Sequence, residues 1–152
     1  MKSALRREIK RAGRFGQQLA VIMLDVDNLK NYNDRHGHLR GSHLLREMAG
    51  ILAAQVRSFD LVAKYGGDEF TVILPQTDRE GARVVAERMR VAIERHAFPL
   101  VAAGSITVSS GISVFPTDGG DVSSAIQAAD RALYQAKRAG RNRVEIGEVK
   151  AA

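Results

Sequence analysis

The chain contains 152 residues, of which 23 are basic and 17 acidic, and it has a formal net charge of +6 and no cysteine. This length suits one domain with a sizeable core, and the lack of cysteine excludes a disulfide framework and a thiolate metal site. No stretch has the length and apolar character of a membrane span, and no apolar segment follows the basic amino end as in a signal peptide. We therefore expect a cytoplasmic domain that makes no contact with a membrane.

The positive charge leaves the class of ligand open. A chain with a pI of about 10.1 would suit nucleic acid, but an anionic nucleotide suits it equally well. Many of the arginines fall on helical patterns, where a solvated helix face is the expected position. Nucleic-acid binding rests on composition alone, and we expect none.

The first part of the chain alternates helical and strand patterns. Residues 3–14 are basic and helix-prone. Residues 19–24 form an unbroken apolar run bounded by polar residues, which predicts a strand buried on both faces. Residues 29–35 predict a short helix or turn, and the apolar spacing over residues 42–57 predicts a longer helix that Ser42 can cap.

A hairpin is predicted in the middle of the chain. Residues 61–63 and 71–74 are apolar and β-prone, and Gly66-Gly67 between them can supply the positive φ values that a tight turn needs. Residues 77–80 then have the Thr-x-x-Glu form of a capping box, which predicts a helix that runs to about residue 96.

The last part of the chain adds a strand, a helix and a short closing strand. Residues 106–115 are β-rich and interrupted by Gly111, residues 123–139 have helical spacing that ends at Gly140, and residues 143–146 predict a strand. Because helices alternate with strands that include a hairpin, we expect an α+β fold in which helices flank a central, mostly antiparallel mixed sheet.

Two acidic clusters lie at positions where carboxylates without a partner would cost free energy. Asp25 and Asp27 follow the predicted buried strand, and Asp68-Glu69 follow the glycines of the hairpin. Taken alone, the second cluster would be a solvated acidic turn. If the hairpin lies beside the buried strand, Asp25 and Asp68 converge, and bare carboxylates at a buried strand end need a partner or a metal. Carboxylates with a backbone carbonyl between them are hard oxygen ligands, suited to Mg²⁺ that carries a phosphate substrate.

Further short motifs follow in a fixed order along the chain. They are Asp25-Val26-Asp27-Asn28-Leu29-Lys30, Asn33-Asp34, Gly37-His38, Gly41, Arg57 with Asp60, Tyr65 to Phe70, Ser109 with Gly111, Ala129-Asp130, Leu133-Tyr134, Ala136-Lys137 and Gly140-Arg141-Asn142. This ordered set, which covers nearly the whole chain, resembles the GGDEF domain family, the diguanylate cyclases of bacterial signalling. The resemblance implies a palm-like α+β sheet, similar to that of nucleotidyl cyclases and polymerases.

The resemblance also implies a reaction and its catalytic residues. Members of the family work as homodimers that join two nucleoside triphosphates head to tail, each 3′-hydroxyl attacking the α-phosphate of the other nucleotide while pyrophosphate leaves. The implied ligands of Mg²⁺, with Mn²⁺ as an alternative, are Asp25, the Val26 carbonyl and Asp68. Glu69 matches the fourth motif position, where it assists the metal or the attacking hydroxyl. For Asp27 we expect an orienting role behind the ligands.

Five residues match the phosphate-binding positions of the family. Asn28, Leu29 and Lys30 match the segment that cradles the nucleotide phosphates at a helix start. Lys137 and Arg141, which lie four residues apart, match the side chains that hold the triphosphate tail. The alternative for this last pair is charge at a helix carboxyl end that complements the helix dipole.

The pair Arg57 and Asp60 matches the inhibitory site of the family, where the cyclic dinucleotide product binds. Arginine can grip a phosphate or a guanine edge with its planar fork. Arg88 is a candidate second arm, from the same subunit or its partner. Taken alone, an Arg-x-x-Asp pair is a common surface ion pair that contributes little.

One position departs from the family pattern. Asn33 is retained for base binding, but Ser42 stands where guanine-specific members carry an aspartate. A carboxylate accepts hydrogen bonds from guanine and repels the lone pair of adenine N1, whereas a hydroxyl can donate or accept. The chain is in this respect similar to the hybrid promiscuous (Hypr) subgroup, which makes 3′,3′-cyclic GMP-AMP from GTP and ATP as well as cyclic di-GMP. The alternative is a changed helix cap in an ordinary diguanylate cyclase.

The resemblance sets the expected domain organisation. Residues 1–152 would form one catalytic domain, beginning after a segment that family members carry and lacking the sensor domain that commonly stands upstream. A competing hypothesis is an inactive domain that senses cyclic di-GMP through Arg57 and Asp60. The intact Gly66 to Phe70 segment, together with Asp25, Lys137 and Arg141, argues against it.

Overall fold

The computed structural model describes residues 1–147 as five helices around one five-stranded sheet. The strand order is β2-β3-β1-β4-β5, with β4 and β5 parallel and the other neighbours antiparallel. This confirms the expected α+β fold. Within residues 1–147, no helix combines the length and apolar character needed to cross a membrane. The elements are α1 (Lys2–Phe15), β1 (Leu19–Asp27), α2 (Leu29–His36), α3 (His38–Ala53), β2 (Leu61–Lys64), β3 (Glu69–Pro75), α4 (Arg79–Arg95), β4 (Thr107–Phe115), α5 (Val122–Arg138) and β5 (Val144–Ile146).

The central strand β1 separates two hydrophobic cores, and all nine of its residues are buried. Its even-numbered residues, such as Ile22 and Leu24, pack with α3 and α4. Its odd-numbered residues, such as Val21 and Met23, pack with α1 and α5. The strand extends to Asp27, three residues beyond the predicted apolar run, because β4 pairs with it along that whole length. Alternation along the strand therefore turns the odd-numbered carboxylates towards α5.

Two predicted helix starts are wrong. Helix α3 begins at His38 with Gly37 as its N-cap, so Ser42 lies inside the helix and does not cap it. Gly37 separates α2 from α3 with φ 89°, a conformation that favours glycine, and one residue is therefore enough to join the two helices. Helix α4 is capped by Asp78, whose carboxylate accepts from the Gly81 N–H, while the Thr77 hydroxyl donates to the Pro75 carbonyl.

The glycine pair of the β2–β3 hairpin does not take the predicted conformation. Neither Gly66 nor Gly67 has positive φ. The strands end at Lys64 and begin again at Glu69, and the Tyr65 N–H donates to the Glu69 carbonyl at 2.9 Å. The connection is therefore longer than the two-residue turn that would require left-handed residues.

Gly111 lies within a continuous β4, and the predicted interruption at this residue is wrong. Gly111 is important because it allows helix α5 to approach the sheet closely. A Cβ atom at this position would lie 2.2 Å from both the Ala129 carbonyl oxygen and the Leu133 nitrogen. The missing side chain thus allows the backbone of α5 to rest directly on β4.

The variant Gly111→Ala is expected to lose about 3 kcal/mol or more of unfolding free energy, because two backbone elements must separate to admit the methyl group. Gly50→Ala, in an open position of α3, is the matched control and should gain up to about 1 kcal/mol. Urea denaturation measures both. A Gly111→Ala protein as stable as wild type would show that α5 does not press on β4.

Candidate active site

Three carboxylates meet at one end of the sheet. Antiparallel pairing of β1 with β3 sets Asp25 opposite Glu69, and the Val26 N–H donates to the Asp68 carbonyl at 3.0 Å. One ligand oxygen from each of Asp25, Asp68 and Glu69 lies within 4.8 Å of the others. In the part of the chain that the structure describes, this is the one group of acidic or histidine side chains with the spacing of a metal site.

Asp25 carries the strongest electrostatic conflict in this cluster. The residue is 6% exposed, and its carboxylate pairs with the Lys137 ammonium group of α5. Burial raises the pKa of Asp25 to about 6, the Lys137 hydrogen bond and charge oppose this rise, and the charges of Asp68 and Glu69 add to it. Burial lowers the pKa of Lys137, but the hydrogen bond to Asp25 and the charges of Asp25, Glu69 and Asp68 together outweigh burial, so the net shift of this pKa is upward.

The carboxylate cluster fits a hard divalent cation. The Oδ1 atom of Asp25 is buried and has no hydrogen-bond partner among residues 1–147. Three converging carboxylates exceed the single positive charge that Lys137 supplies, so a cation would relieve both the repulsion and the unpartnered oxygen. Carboxylate oxygens are the ligands that Mg²⁺ and Mn²⁺ prefer. Asp25, Asp68 and Glu69 are the side chains placed to hold such an ion.

A cavity of about 430 Å³ adjoins the carboxylates. On one wall is the start of α2, where Asn28 has φ 65° and makes no side-chain cap hydrogen bond to the helix. The Tyr32 N–H makes the first bond of the helix, to the Asn28 carbonyl, so the preceding N–H groups remain available to an anion. Lys137 and Arg141 also line this cavity. The cavity is lined by Asp25, Val26, Asp27, Asn28, Leu29, Lys30, Asn31, Asp68, Lys137 and Arg141.

A second cavity, of about 450 Å³, shares Leu29, Lys30 and Asp68 with the first. It brings Asn33 and Ser42 together, as the resemblance implies. The Oδ1 atom of Asn33 is buried and has no partner within the described residues. Asn33 lines the cavity, and a ligand there could supply the hydrogen bond that this buried acceptor lacks.

Gly41 has a role in this cavity that the sequence did not reveal. A Cβ atom on Gly41 would lie 1.7 Å from the Asn33 Oδ1 atom. The amide of Asn33 therefore occupies the space that a side chain at position 41 would take. In the sequence, Gly41 stood just before the helix predicted over residues 42–57 and matched the family pattern, and neither observation indicated this contact.

The structure shows the specific surroundings of Asp27, the residue for which an orienting role was expected. It is 4% exposed, and its carboxylate accepts from the hydroxyls of Thr107 and Ser109, each at 2.8 Å. It also accepts from the backbone N–H of Asn142 at 3.0 Å. Asp27 thus joins β1 to β4 and to the turn that follows α5.

The structure brings Arg57 and Asp60 together in a bidentate ion pair. The guanidinium group of Arg57 also donates to the Pro75 carbonyl at 3.0 Å and to the Thr77 hydroxyl at 2.8 Å. Arg57 lines a cavity of about 470 Å³ beside Thr77 and is 48% exposed in its side chain. Arg88 donates to the Gln55 carbonyl, on the loop that leads to Arg57, and does not line this cavity.

Fold and site together define a GGDEF domain. The family model described as "Diguanylate cyclase, GGDEF domain" matches residues 1–143, and the chain belongs to this family. Among curated relatives, Diguanylate cyclase DgcP of Pseudomonas aeruginosa is 41% identical over 96% of this chain and 22% of its own length. Diguanylate cyclase DosC of Escherichia coli K12 is 39% identical over 96% of this chain and 32% of its own length. The chain thus spans less than two fifths of these proteins.

Solved structures of GGDEF domains have the same fold. The GGDEF domain of YfiN from P. aeruginosa superposes with a TM-score of 0.91 at 31% identity, covering 98% of this chain and 94% of that one. The GGDEF domain of DgcB from Caulobacter crescentus, solved in complex with c-di-GMP, superposes with a TM-score of 0.84 at 32% identity, covering 95% of this chain and 86% of that one. The expected palm-like fold of the family is confirmed.

Proposed function

We propose that this domain condenses two GTP molecules into cyclic di-GMP and releases two pyrophosphates. The observation that carries the proposal is the junction of the carboxylate cluster with two cavities, one bordered by cations and helix N–H groups and one by Asn33 and Ser42. The names of the relatives, diguanylate cyclases, support the same reaction. In those relatives, the segment similar to this chain makes up 22% and 32% of the length.

Each cavity takes one part of the nucleotide. The triphosphate lies in the first cavity, where Lys30, Lys137 and Arg141 and the amide groups at the start of α2 offset its charge. The base enters the second cavity, beside the unpartnered amide oxygen of Asn33. Leu29, Lys30 and Asp68 line both cavities. The ribose and the α-phosphate would therefore lie where the two cavities meet, next to Asp68.

Asp25, Asp68, the Val26 carbonyl and Glu69 would hold Mg²⁺ or Mn²⁺. The ion, when bound, supplies positive charge to the α-phosphate as negative charge develops there. Glu69, at the first position of β3 and within the carboxylate cluster, would accept the proton of an attacking hydroxyl. Lys137 keeps its charge in this setting and stabilises the pyrophosphate that leaves.

The reaction needs two copies of the domain. One chain offers one triphosphate cavity and one base cavity, whereas the product contains two nucleotides. Two subunits facing each other bring each 3′-hydroxyl to the α-phosphorus of the opposite nucleotide. Each hydroxyl loses its proton as the new P–O bond forms, and each bond to pyrophosphate breaks. The open active-site cavities of this domain suit such an arrangement.

Ser42 would widen the choice of base. It lines the second cavity together with Asn33 and lies inside α3, where its hydroxyl is not engaged as a helix cap. A hydroxyl can donate to adenine N1 or accept from guanine N1–H, which a carboxylate cannot do for both. We therefore propose that the domain also makes 3′,3′-cyclic GMP-AMP from GTP and ATP.

Arg57 would bind the cyclic dinucleotide product and limit the reaction. Its exposed fork adjoins a cavity, and its hydrogen bonds to Asp60 and Thr77 hold it in one orientation. Arg88 would contribute only after leaving the Gln55 carbonyl. A phosphate of the product would approach the half of the guanidinium that faces solvent.

Replacing Asp68 by Ala should reduce turnover of GTP with Mg²⁺ by about a hundredfold or more, because it removes one side of the cation site. The measurement is pyrophosphate release with identification of the product by mass. Glu80→Gln, at an exposed position of α4, is the matched control. Near-normal turnover by a folded Asp68→Ala protein would remove the cation site from the reaction.

Replacing Ser42 by Asp should lower the ratio of cyclic GMP-AMP to cyclic di-GMP roughly tenfold or more, because the carboxylate meets an unfavourable lone pair on adenine. Equal GTP and ATP are supplied, and the products are separated by mass. His43→Asp adds the same charge one residue further along α3, outside the cavity. A wild-type protein that makes no mixed product contradicts the proposed promiscuity, and an unchanged ratio in Ser42→Asp places base selection elsewhere.

Replacing Arg57 by Ala should weaken the binding of cyclic di-GMP roughly tenfold and relieve product inhibition, since a charged hydrogen-bond donor is lost. Calorimetry with cyclic di-GMP measures the affinity, and progress curves measure the inhibition. Arg83→Ala removes an equally exposed cation from α4 and serves as control. Unchanged affinity would leave Arg57 as a surface ion pair of the fold.

A further inference from the structure

The turn that follows α5 has an unusual backbone. Arg141 and Asn142 have φ values of 64° and 47°, so two consecutive residues other than glycine adopt the left-handed conformation. Asparagine tolerates this conformation, but for arginine it costs on the order of 1–2 kcal/mol. Such backbone persists only where surrounding contacts determine it, and it is common at binding sites. The contacts of this turn therefore indicate what holds it.

One contact comes from the sheet. The Asn142 N–H donates to the buried carboxylate of Asp27 at 3.0 Å, while Thr107 and Ser109 hold that carboxylate in place from β4. Hydrogen bonds to a buried ionised acceptor are among the stronger ones in proteins. Asp27 therefore anchors the turn, and two hydroxyl groups of the neighbouring strand β4 hold the Asp27 carboxylate in place.

A second set of contacts comes from helix α4. The Asn142 side-chain oxygen accepts from Arg90 at 3.0 Å, and its amide nitrogen donates to Glu94. Arg90 and Glu94 also pair with each other, and Arg90 pairs with Glu87 one turn earlier. Both ends of the Asn142 amide are thus occupied by a preformed charged group on α4. The asparagine cannot rotate without breaking both contacts.

These contacts of the turn restrict the conformation of Arg141. Its N–H donates to the Ala136 carbonyl at 3.0 Å, and its side chain lines the anion cavity with Lys137. The Arg141 backbone is held by α5 on one side and by Asn142 on the other, so these contacts restrict it to one conformation. An arginine on a mobile turn would lose both backbone and side-chain entropy on binding an anion, whereas a backbone that is already fixed leaves only the side-chain cost.

We infer that Asp27 and Asn142 are positioning residues, which hold the left-handed turn so that Arg141 presents its guanidinium group to the phosphates of the nucleotide. The inference rests on the proposed function in one respect, the use of Arg141 as a triphosphate ligand. It gives Asp27 a role distinct from that of Asp25, two residues earlier, although both carboxylates lie on the same face of β1. It also assigns Arg90 and Glu94 of α4 to the support of the active site.

A double-mutant cycle separates positioning from general structural support. Binding of inorganic tripolyphosphate, with Mg²⁺ present throughout, is measured by calorimetry for wild type, Arg141→Ala, Asn142→Ala and the double variant. We expect each single change to weaken binding about fivefold or more. The double variant should bind within about twofold of Arg141→Ala, because Asn142 acts only through that side chain. In contrast, combining Asn142→Ala with Lys30→Ala should multiply the two losses.

Arg90→Ala provides a second route that does not alter the turn itself. It should weaken tripolyphosphate binding by a smaller factor, about threefold, and should lose this effect in the Arg141→Ala background. Arg83→Ala removes a cation from the same helix, away from Asn142, and is the matched control for charge. Thermal unfolding of each variant shows that it is folded.

The outcomes separate the two proposals. Wild-type affinity in Asn142→Ala, or a double variant whose loss is the product of the two single losses, overturns the positioning inference. Equal coupling of Asn142 to Lys30 and to Arg141 also overturns it, since that pattern means general loosening of the site. If the coupling to Arg141 is found in a protein that does not cyclise GTP, the positioning role stands and the proposed reaction falls.

Discussion

The antiparallel pairing of β1 with β3 is the constraint on which the candidate site depends. It places Asp25 opposite Glu69 at the end of a strand whose nine residues are all buried. Like charges so close raise each other's energy, most of all at buried Asp25, and one ammonium group from α5 offsets only part of this repulsion. The sheet can hold this arrangement because two hydrophobic cores, one on each face of β1, supply the stability that the carboxylates remove.

Alternation along β1 then distributes the chemistry. Even-numbered positions are apolar and face α3 and α4, whereas Asp25 and Asp27 share the face of α5. The two acids nevertheless have opposite surroundings. Asp25 meets other carboxylates, and Asp27 meets hydroxyl and amide donors that satisfy its charge. Two residues along one strand are therefore enough to separate a group that needs a cation from one that does not.

Much of this could be predicted from the sequence, because its strongest signals are local and periodic. The buried run of β1, the hairpin and the amphipathic helices gave the α+β fold, and the acidic clusters at strand ends indicated where a cation would bind. The helix starts were misplaced because Gly37 and Asp78, and not Ser42 and Thr77, have the backbone geometry of caps. That geometry depends on how the preceding segment arrives, which a pattern of residue types does not contain.

Two further points concern contacts between distant parts of the chain. The interruption expected at Gly111 did not occur, because this glycine makes room for the backbone of α5 and does not break its own strand. The partners of Asp27 lie 80 and 115 residues away. Periodicity carries no record of such pairs, so the anchoring of the turn after α5 becomes visible only in three dimensions.

The overlap between Gly41 and Asn33 limits how the cavity that both residues line can evolve. Any side chain at position 41 would displace the Asn33 amide, whereas Ser42, on the next residue of the same helix, is exposed and borders the cavity. One position is therefore closed to mutation and its neighbour is open, with no change of fold required at either. Under the proposed function, substrate range could change through a single codon while the scaffold around the cavity stays constant.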